Sequence, residues 1–391
     1  MLGFLLARAG IDVVVLEKHA DFLRDFRGDT IHPSTLDVMG ELGLLDDFLK
    51  LPHEKAPNIG AVFGGQQYPF ADFRYLPTRC KFIAIMPQWD FLNFLADRGR
   101  SYPTFHLRMR AEAVDLIEEG GRIAGVRANT PDGPLEIRAD LTAGCDGRHS
   151  TVRERAGLTV DDLGAPMDVL WFRLPKKPGD PDETMGRFDA GLIVAMINRG
   201  DYWQCAFVIR KGASEETKRA GLAAFRQRVA RLVPLFADRV DELKDWDQIK
   251  LLTVAVNRVR RWHRPGLLCI GDAAHAMSPI GGVGVNLAVQ DAVAAANLLW
   301  QPLKGRTVQE GDLARVQRRR EFPTRVTQRL QVIVQNNVID RLLAAGVSLS
   351  TPWLLRLFSR VAPLRAIPAW LVGKGVRPEH VHTPDMRAAA G

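Results

Sequence analysis

The fold turns on Leu267-Leu268-Cys269-Ile270-Gly271-Asp272-Ala273-Ala274-His275 and on the stretch just after it, Pro279-Ile280-Gly281-Gly282-Val283-Gly284-Val285-Asn286. Four apolar residues without polar alternation suit a short strand buried on both faces. The strand runs into small residues and a carboxylate, Asp272. Leu287, Ala288, Asp291, Ala292 and Ala295 then recur at helical spacing. Glycines let backbone amides approach a flat ligand closely, and a helix start sets partial positive charge beside it. A strand-end carboxylate can hold a polyol hydroxyl. Gly282-Val283-Gly284 is not the dinucleotide fingerprint, because the strand–glycine–helix register is absent.

Two further stretches have matching chemistry. Cys145-Asp146-Gly147-Arg148-His149-Ser150-Thr151-Val152-Arg153 reads as a strand end, a turn and a helix start, where Gly147 allows close backbone approach to phosphate oxygens. A plain strand–turn–helix junction fits it equally well. At the other end, Leu2 to Ala9 reads as a helix stopped by Gly10, and Ile11 to Leu16 as a buried strand ending at Glu17. In a dinucleotide-binding unit an acidic residue at that point bonds the adenosine ribose.

Between these stretches, helices are expected at Thr35 to Leu45 and at Gln88 to Asp97. Ala111 to Glu118 and Arg122 to Thr130 form a hairpin around Glu119-Gly120-Gly121, and Ile137 to Ala143 leads as one strand into Cys145. From about 165 to 257 the pattern becomes β-rich: Val169 to Leu174, Leu192 to Ile197, Tyr202 to Arg210 and Ile249 to Val256. Glu215 to Val233 is the helical exception. Alternation puts Trp203, Cys205, Phe207 and Ile209 on one face of their strand, with Tyr202, Gln204, Ala206 and Val208 on the other. One face is expected to line a pocket, with Trp171, Arg173 and Met196 as further lining candidates; ordinary sheet core is the competing reading.

The bulk properties exclude several classes. A chain of 391 residues with 46% hydrophobic and 25% charged residues suits two packed domains of a globular enzyme. The four cysteines show no C-x-x-C spacing, which argues against zinc or a disulfide scaffold and fits a reducing cytoplasm. A net charge of +8 steers anionic ligands, but it is spread along the chain rather than gathered as nucleic-acid binding requires. The cluster Arg315, Arg318, Arg319, Arg320, Arg325 and Arg329 reads first as a solvated helix face or domain contact, and second as a membrane-surface patch. Trp353 to Phe358 reads as core or an interface, or else as an amphipathic membrane foot that would suit a lipid or quinone-like substrate. No apolar run approaches the ~18 residues of a membrane span.

Together, D-G-x-x-S-x-V-R and G-D-A-A-H-x-x-x-P-x-x-G-x-G-x-N resemble the two-domain class A flavoprotein monooxygenases, the p-hydroxybenzoate hydroxylase-like family that includes ubiquinone-biosynthesis hydroxylases. The resemblance implies an α/β fold: a discontinuous Rossmann-like FAD-binding domain (1–50, 80–160 and 258–310), an inserted β-sheet substrate domain (51–79 and 161–257) and a helical C-terminal region (311–391). Carried over, Glu17 binds the FAD ribose, Arg27 and Gln88 the phosphate region, and Asp146 and Gly147 the pyrophosphate and transient NAD(P)H. Asp272 holds the ribityl chain and Pro279 backs the ring, which faces the backbone at Gly282, Gly284, Val285 and Asn286. His275 is either a structural histidine or a proton-transfer group. His32 and Tyr202 are the other candidates for acid–base work.

The reaction implied uses NAD(P)H and O2 to hydroxylate an aromatic or quinone-like small molecule through a flavin C4a-hydroperoxide. An epoxidase or a double-bond reductase is the alternative; a halogenase is not, since no W-x-W pair occurs. In the family a strand and a G-x-G-x-x-G turn, roughly 12–20 residues, precede the helix that here begins at Met1. The expectation is that Met1 is an internal start, the alternative being a truncated, flavin-free copy acting as a binding protein.

Overall fold

The computed structural model describes residues 1–23, 29–189, 191–345 and 352–387. Helix α1 (Leu2–Arg8) buries Leu5 and Phe4 and feeds β1 (Val13–Glu17). Helix α2 (Pro33–Glu41) starts on a proline, whose missing N–H costs nothing in a first turn, and is followed by Gly43 at φ 70°. Strands β2 (Asn58–Phe63) and β3 (Gln66–Asp72) precede α3 (Gln88–Arg100) and β4 (Phe105–Met109), which pairs in parallel with β1. A three-stranded meander follows: β5 (Glu112–Glu119), β6 (Arg122–Thr130) and β7 (Gly133–Arg138).

The single strand expected over 137–143 is two strands in different sheets. The Ala139 N–H donates to Ala124, closing the meander, and the Thr142 N–H donates to Gly266, opening β8 (Thr142–Gly144). Helix α4 (Thr151–Arg155) follows on the Ser150 cap. The β-rich part comprises β9 (Met167–Pro175), β10 (Met185–Asp189), β11 (Leu192–Asn198) and β12 (Tyr202–Arg210). The expected helix over 215–233 is broken at Gly221, whose φ of 89° no helix accommodates, leaving Ser214–Arg219 and α5 (Leu222–Leu232). The strand expected over 249–256 is only β13 (Lys250–Leu252), because the Val254 N–H leaves the ladder for the Asp168 carboxylate, 2.9 Å away.

These strands assemble into one seven-stranded sheet in the order β13-β9-β12-β11-β10-β2-β3. One face packs against α5 through Phe172, Trp203, Phe207 and Phe225. The other carries Trp171, Phe188, Ile193, Ala206 and Val208 and meets Ile280 of the glycine-rich loop.

Strand β14 (Leu267–Cys269) is fully buried and pairs in parallel with β8. It leads to α6 (Gly284–Lys304) and α7 (Glu310–Val334). Contrary to the reading of the apolar runs, residues 280–304 are long and apolar enough to cross a membrane. That composition serves packing instead: Val289, Ala292, Val293, Ala295, Ala296 and Leu299 lie in the main core with Leu5, Phe91 and Trp262. The chain continues through a π-turn (Gln335–Ile339) to α8 (Trp353–Arg360). Its last described residues return to its first, where Arg8 donates to the Thr383 carbonyl at 2.7 Å and sits 3.3 Å from Asp385.

Candidate functional site

The parallel pairing of Thr142 with Leu267 and of Gly144 with Cys269 sets the Cys145-Asp146-Gly147 turn beside the Gly271-Asp272 turn. Gly271 takes φ 60°, open to glycine at little cost, and its N–H donates to the Asp291 carboxylate at 3.0 Å. Asp272 lies across from the start of α6, its Oδ1 4.0 Å from the point a Cβ on Gly284 would occupy. Pro279 begins the next turn, in which Gly281 and Gly282 take φ 79° and 63°. A Cβ on Gly282 would sit 2.4 Å from Thr30 Oγ1, so a larger residue there would drive the two loops apart. Helix α6 starts with no side-chain cap and no acidic residue in its first turn, which leaves its leading amides for a ligand.

Asn286 carries a task besides the one expected of its backbone. Its backbone belongs to that first turn, while its Oδ1 accepts from the His32 N–H (2.8 Å) and Thr35 Oγ1 (2.7 Å) and its Nδ2 donates to the Thr30 carbonyl (3.0 Å). Asn286 therefore locks the 30–35 loop against the glycine-rich loop. His32 is fully buried. Its Nδ1 donates to the Val372 carbonyl at 2.7 Å, and burial lowers its pKa from 6.5 to about 4.

His275 occupies a structural position. Its Nε2 lies 2.6 Å from Asp291, which also accepts from Arg320 Nε at 2.9 Å, and Arg320 reaches Glu379 at 3.1 Å. Asp291, His275, Arg320 and Glu379 are all buried. Burial opposes the Asp291 charge, but His275 and Arg320 outweigh it and hold the carboxyl below its ordinary range. The arginine cluster is thus divided: Arg320 is core, Arg319 pairs with Glu379 at 2.7 Å, and Arg325 pairs with Glu321 at 2.7 Å.

Sequence reasoning missed the glutamines of α7 and the π-turn. Gln331 accepts from the Ser278 N–H and donates to the carbonyls of Ser278 and Ile280, and Gln335 donates to Ser278 Oγ at 3.2 Å. One turn earlier, Gln328 donates to the carbonyls of Asn257 (2.8 Å) and Ala276 (3.1 Å). A polar side chain on a helix reads as solvated, and the one available signal is the spacing of 328, 331 and 335 on a single face.

The remaining expected residues divide clearly. Glu17 ends β1 and accepts from the His19 N–H at 3.0 Å. Gln88 opens α3, and its N–H donates to Asp29. Both Asp146 oxygens are engaged by the start of α4, one by Ser150 Oγ (2.5 Å) and the other by the Val152 N–H (3.0 Å), whereas Gly147, at φ 85°, has open space beside its backbone. Arg27 lies outside the described residues. Trp203, Phe207 and Met196 point into the core under α5, away from the glycine-rich loop. Cross-strand pairing sets Trp171 with Ala206 and Arg173 with Gln204 on the loop-facing side, and Arg173 stacks over the Tyr202 ring at 5.0 Å. A second missed feature marks the seam between the sheet and the α/β layer: Arg199 lies 3.9 Å from Asp29 with both side chains buried. Burial raises the Asp29 carboxyl, against the pull of Arg199 and a hydrogen bond from Gln204.

An uncapped helix start, a turn in which Gly282 has no room for a Cβ and a facing carboxylate suit the ring and ribityl end of a flavin, and Glu17 suits its ribose. These features define a candidate flavin site in an α/β fold. A family model described as an FAD binding domain matches residues 1–330. Over 334 residues the chain is 33% identical to 6-methylpretetramide 4-monooxygenase of Streptomyces rimosus, covering 85% of this chain and 80% of that protein. It is 25% identical over 312 residues to dialkyldecalin synthase of Streptomyces rugosporus, covering 77% of this chain and 62% of that longer protein. The crystal structure of P. aeruginosa PqsL in complex with 2-aminobenzoylacetate shares the fold, with a TM-score of 0.75 at 22% identity over 88% of this chain and 95% of that one. The chain belongs to the FAD binding domain family and is an FAD-dependent oxidoreductase of the monooxygenase type.

Proposed function

We propose that the protein hydroxylates a fused-ring phenolic or quinone-like aromatic substrate, with FAD as cofactor and NAD(P)H and O2 as co-substrates. The observation that carries this reading is the meeting of the Trp171–Ala206 face of the sheet with Ile280, beside the uncapped start of α6. A flat apolar substrate laid on that face would lie against the ring-binding loop. The relative named as acting on 6-methylpretetramide supports a substrate of several fused rings.

Bound FAD supplies the redox and oxygen chemistry. The chain positions, desolvates and polarises. Glu17 would hold the ribose and Asp272 the ribityl hydroxyls, while the amides of Gly284 and Val285 would stabilise negative charge on the ring edge. Trp171, Phe188, Ile193 and Val208 would exclude water from the reacting centre. Arg173 and Gln204 provide a polar end that can orient a phenol or quinone oxygen. Of the three candidate proton-transfer residues, Tyr202 lies on this face, whereas His32 and His275 are buried elsewhere. On this reading residues 51–79 and 161–257 roof the substrate and residues 258–310 carry the ring. The unpaired cysteines fit a cytoplasmic setting.

The test is turnover of the flavin-loaded protein with phenolic fused-ring compounds under heavy-oxygen-labelled O2. One labelled oxygen in the product supports the proposal. NAD(P)H oxidation that is unaffected by any such compound, with no oxygenated product, would overturn it.

A further inference from the structure

Helix α8 (Trp353–Arg360) has its apolar face turned outward. At about 100° per residue, Trp353, Leu354 and Leu357 share one arc, with Val361 just beyond it. All four are exposed, Trp353 to 70%. Leu355 lies on the opposite side and packs against the sheet-face core with Val332 and Val338. Arg356 and Arg360 flank the outward arc, and the surface continues through exposed Ile367 and Trp370. From Pro352 to Pro378 there is no Asp or Glu, against five basic residues: Arg356, Arg360, Arg365, Lys374 and Arg377.

We propose that this surface docks onto an anionic lipid bilayer, with α8 lying in the headgroup plane. Tryptophan and flanking arginines suit that depth, since the ring and the stems contact acyl chains while the guanidinium groups reach phosphate. A second copy of the chain fits worse. A two-fold contact through α8 would set Arg356 and Arg360 of the two copies near each other, with no carboxylate on the helix to offset them. Anionic headgroups supply the missing charge. The inference does not depend on the identity of the substrate.

The test is sedimentation of the full chain with phosphatidylcholine vesicles and with vesicles containing added phosphatidylglycerol. Binding to the anionic vesicles should be at least about tenfold tighter, and should fall as salt rises. The exposed double variant Trp353→Ser/Leu357→Ser should lose this binding without a change in thermal melting. Arg356→Gln/Arg360→Gln should bring anionic binding close to the phosphatidylcholine level. Equal binding to both vesicles, binding to neither, or a Trp353→Ser/Leu357→Ser variant that binds like its parent would each overturn the proposal. So would a dimer, seen by sedimentation velocity, that this variant abolishes while vesicles are ignored.

Discussion

Gln331 and Ser278 hold each other in both directions: Gln331 Oε1 accepts from the Ser278 N–H at 3.1 Å and its Nε2 returns a bond to the Ser278 carbonyl at 3.0 Å. The same nitrogen reaches the Ile280 carbonyl, so one side chain sets the path of the loop leading to Gly281 and Gly282. Gln331→Leu should lower stability by about 2 kcal/mol or more, because an N–H and two carbonyls lose their partners together. Gln331→Glu keeps the acceptor alone and should fall between. Urea unfolding measures both, and a Gln331→Leu midpoint equal to the parent's would show that the clamp is dispensable.

His32 makes stability depend on pH in a stated direction. Its neutral form is favoured in the fold, with a pKa near 4 against 6.5, and a protonated Nε2 would be buried without a partner. The depressed value means that this contribution is fully present above 6.5 and is lost as pH falls from 6.5 to about 4, to an extent of about 3 kcal/mol. His32→Asn, which can still donate to Val372, should flatten that slope. Denaturation midpoints across this window should show it; parallel curves for the two proteins would refute the assignment.

Asp272 faces the start of α6 and is proposed to hold the ribityl chain. Asp272→Ala should weaken FAD by the worth of a charge-assisted bond, ~1.5–3 kcal/mol, or roughly tenfold to a hundredfold in Kd. Fluorescence titration with FAD reads this directly. Unchanged affinity in a folded variant would move the cofactor away from this turn.

Trp171 and Trp203 lie on opposite faces of one sheet, so their variants should fail differently. Trp171→Ala should raise the KM for the aromatic substrate about tenfold while leaving FAD affinity alone, as expected for loss of part of an apolar contact. Trp203→Ala should instead cost about 3–5 kcal/mol of stability, because it empties the core under α5. Steady-state kinetics paired with melting curves separates the two, and a stability loss for Trp171→Ala as large as that for Trp203→Ala would place Trp171 in the core as well.

The parts of the fold legible in the sequence were those with their own periodicity or punctuation. Tyr202–Arg210 ends where its alternating run ends, and Leu267–Cys269 announces itself by four apolar residues stopped by Gly271. Which face of β12 meets the loop was not legible, because both faces are apolar and only the cross-strand partner Trp171 and the distant Ile280 decide it. The buried polar residues were the hardest. Arg320 and Gln331 are indistinguishable in a helical pattern from solvated neighbours such as Arg318, since burial is conferred by Asp291 and Ser278, 29 and 53 residues away. Gly221 was readable in principle, but a lone glycine inside a helical run is tolerated often enough to be passed over.

The return of the last residues to the first has a kinetic consequence. Arg8 and Thr383 are separated by 375 residues, and His32 and Val372 by 340. Neither contact can form on the ribosome until Val372 or Thr383 has emerged. The opening helix must therefore wait, its buried side chains packed only against what has been made so far. Closing loops of that length is slow, and it exposes partly built sheets to aggregation in the interval. Late synthesis, rather than local helix or strand formation, should set the pace at which this protein becomes native.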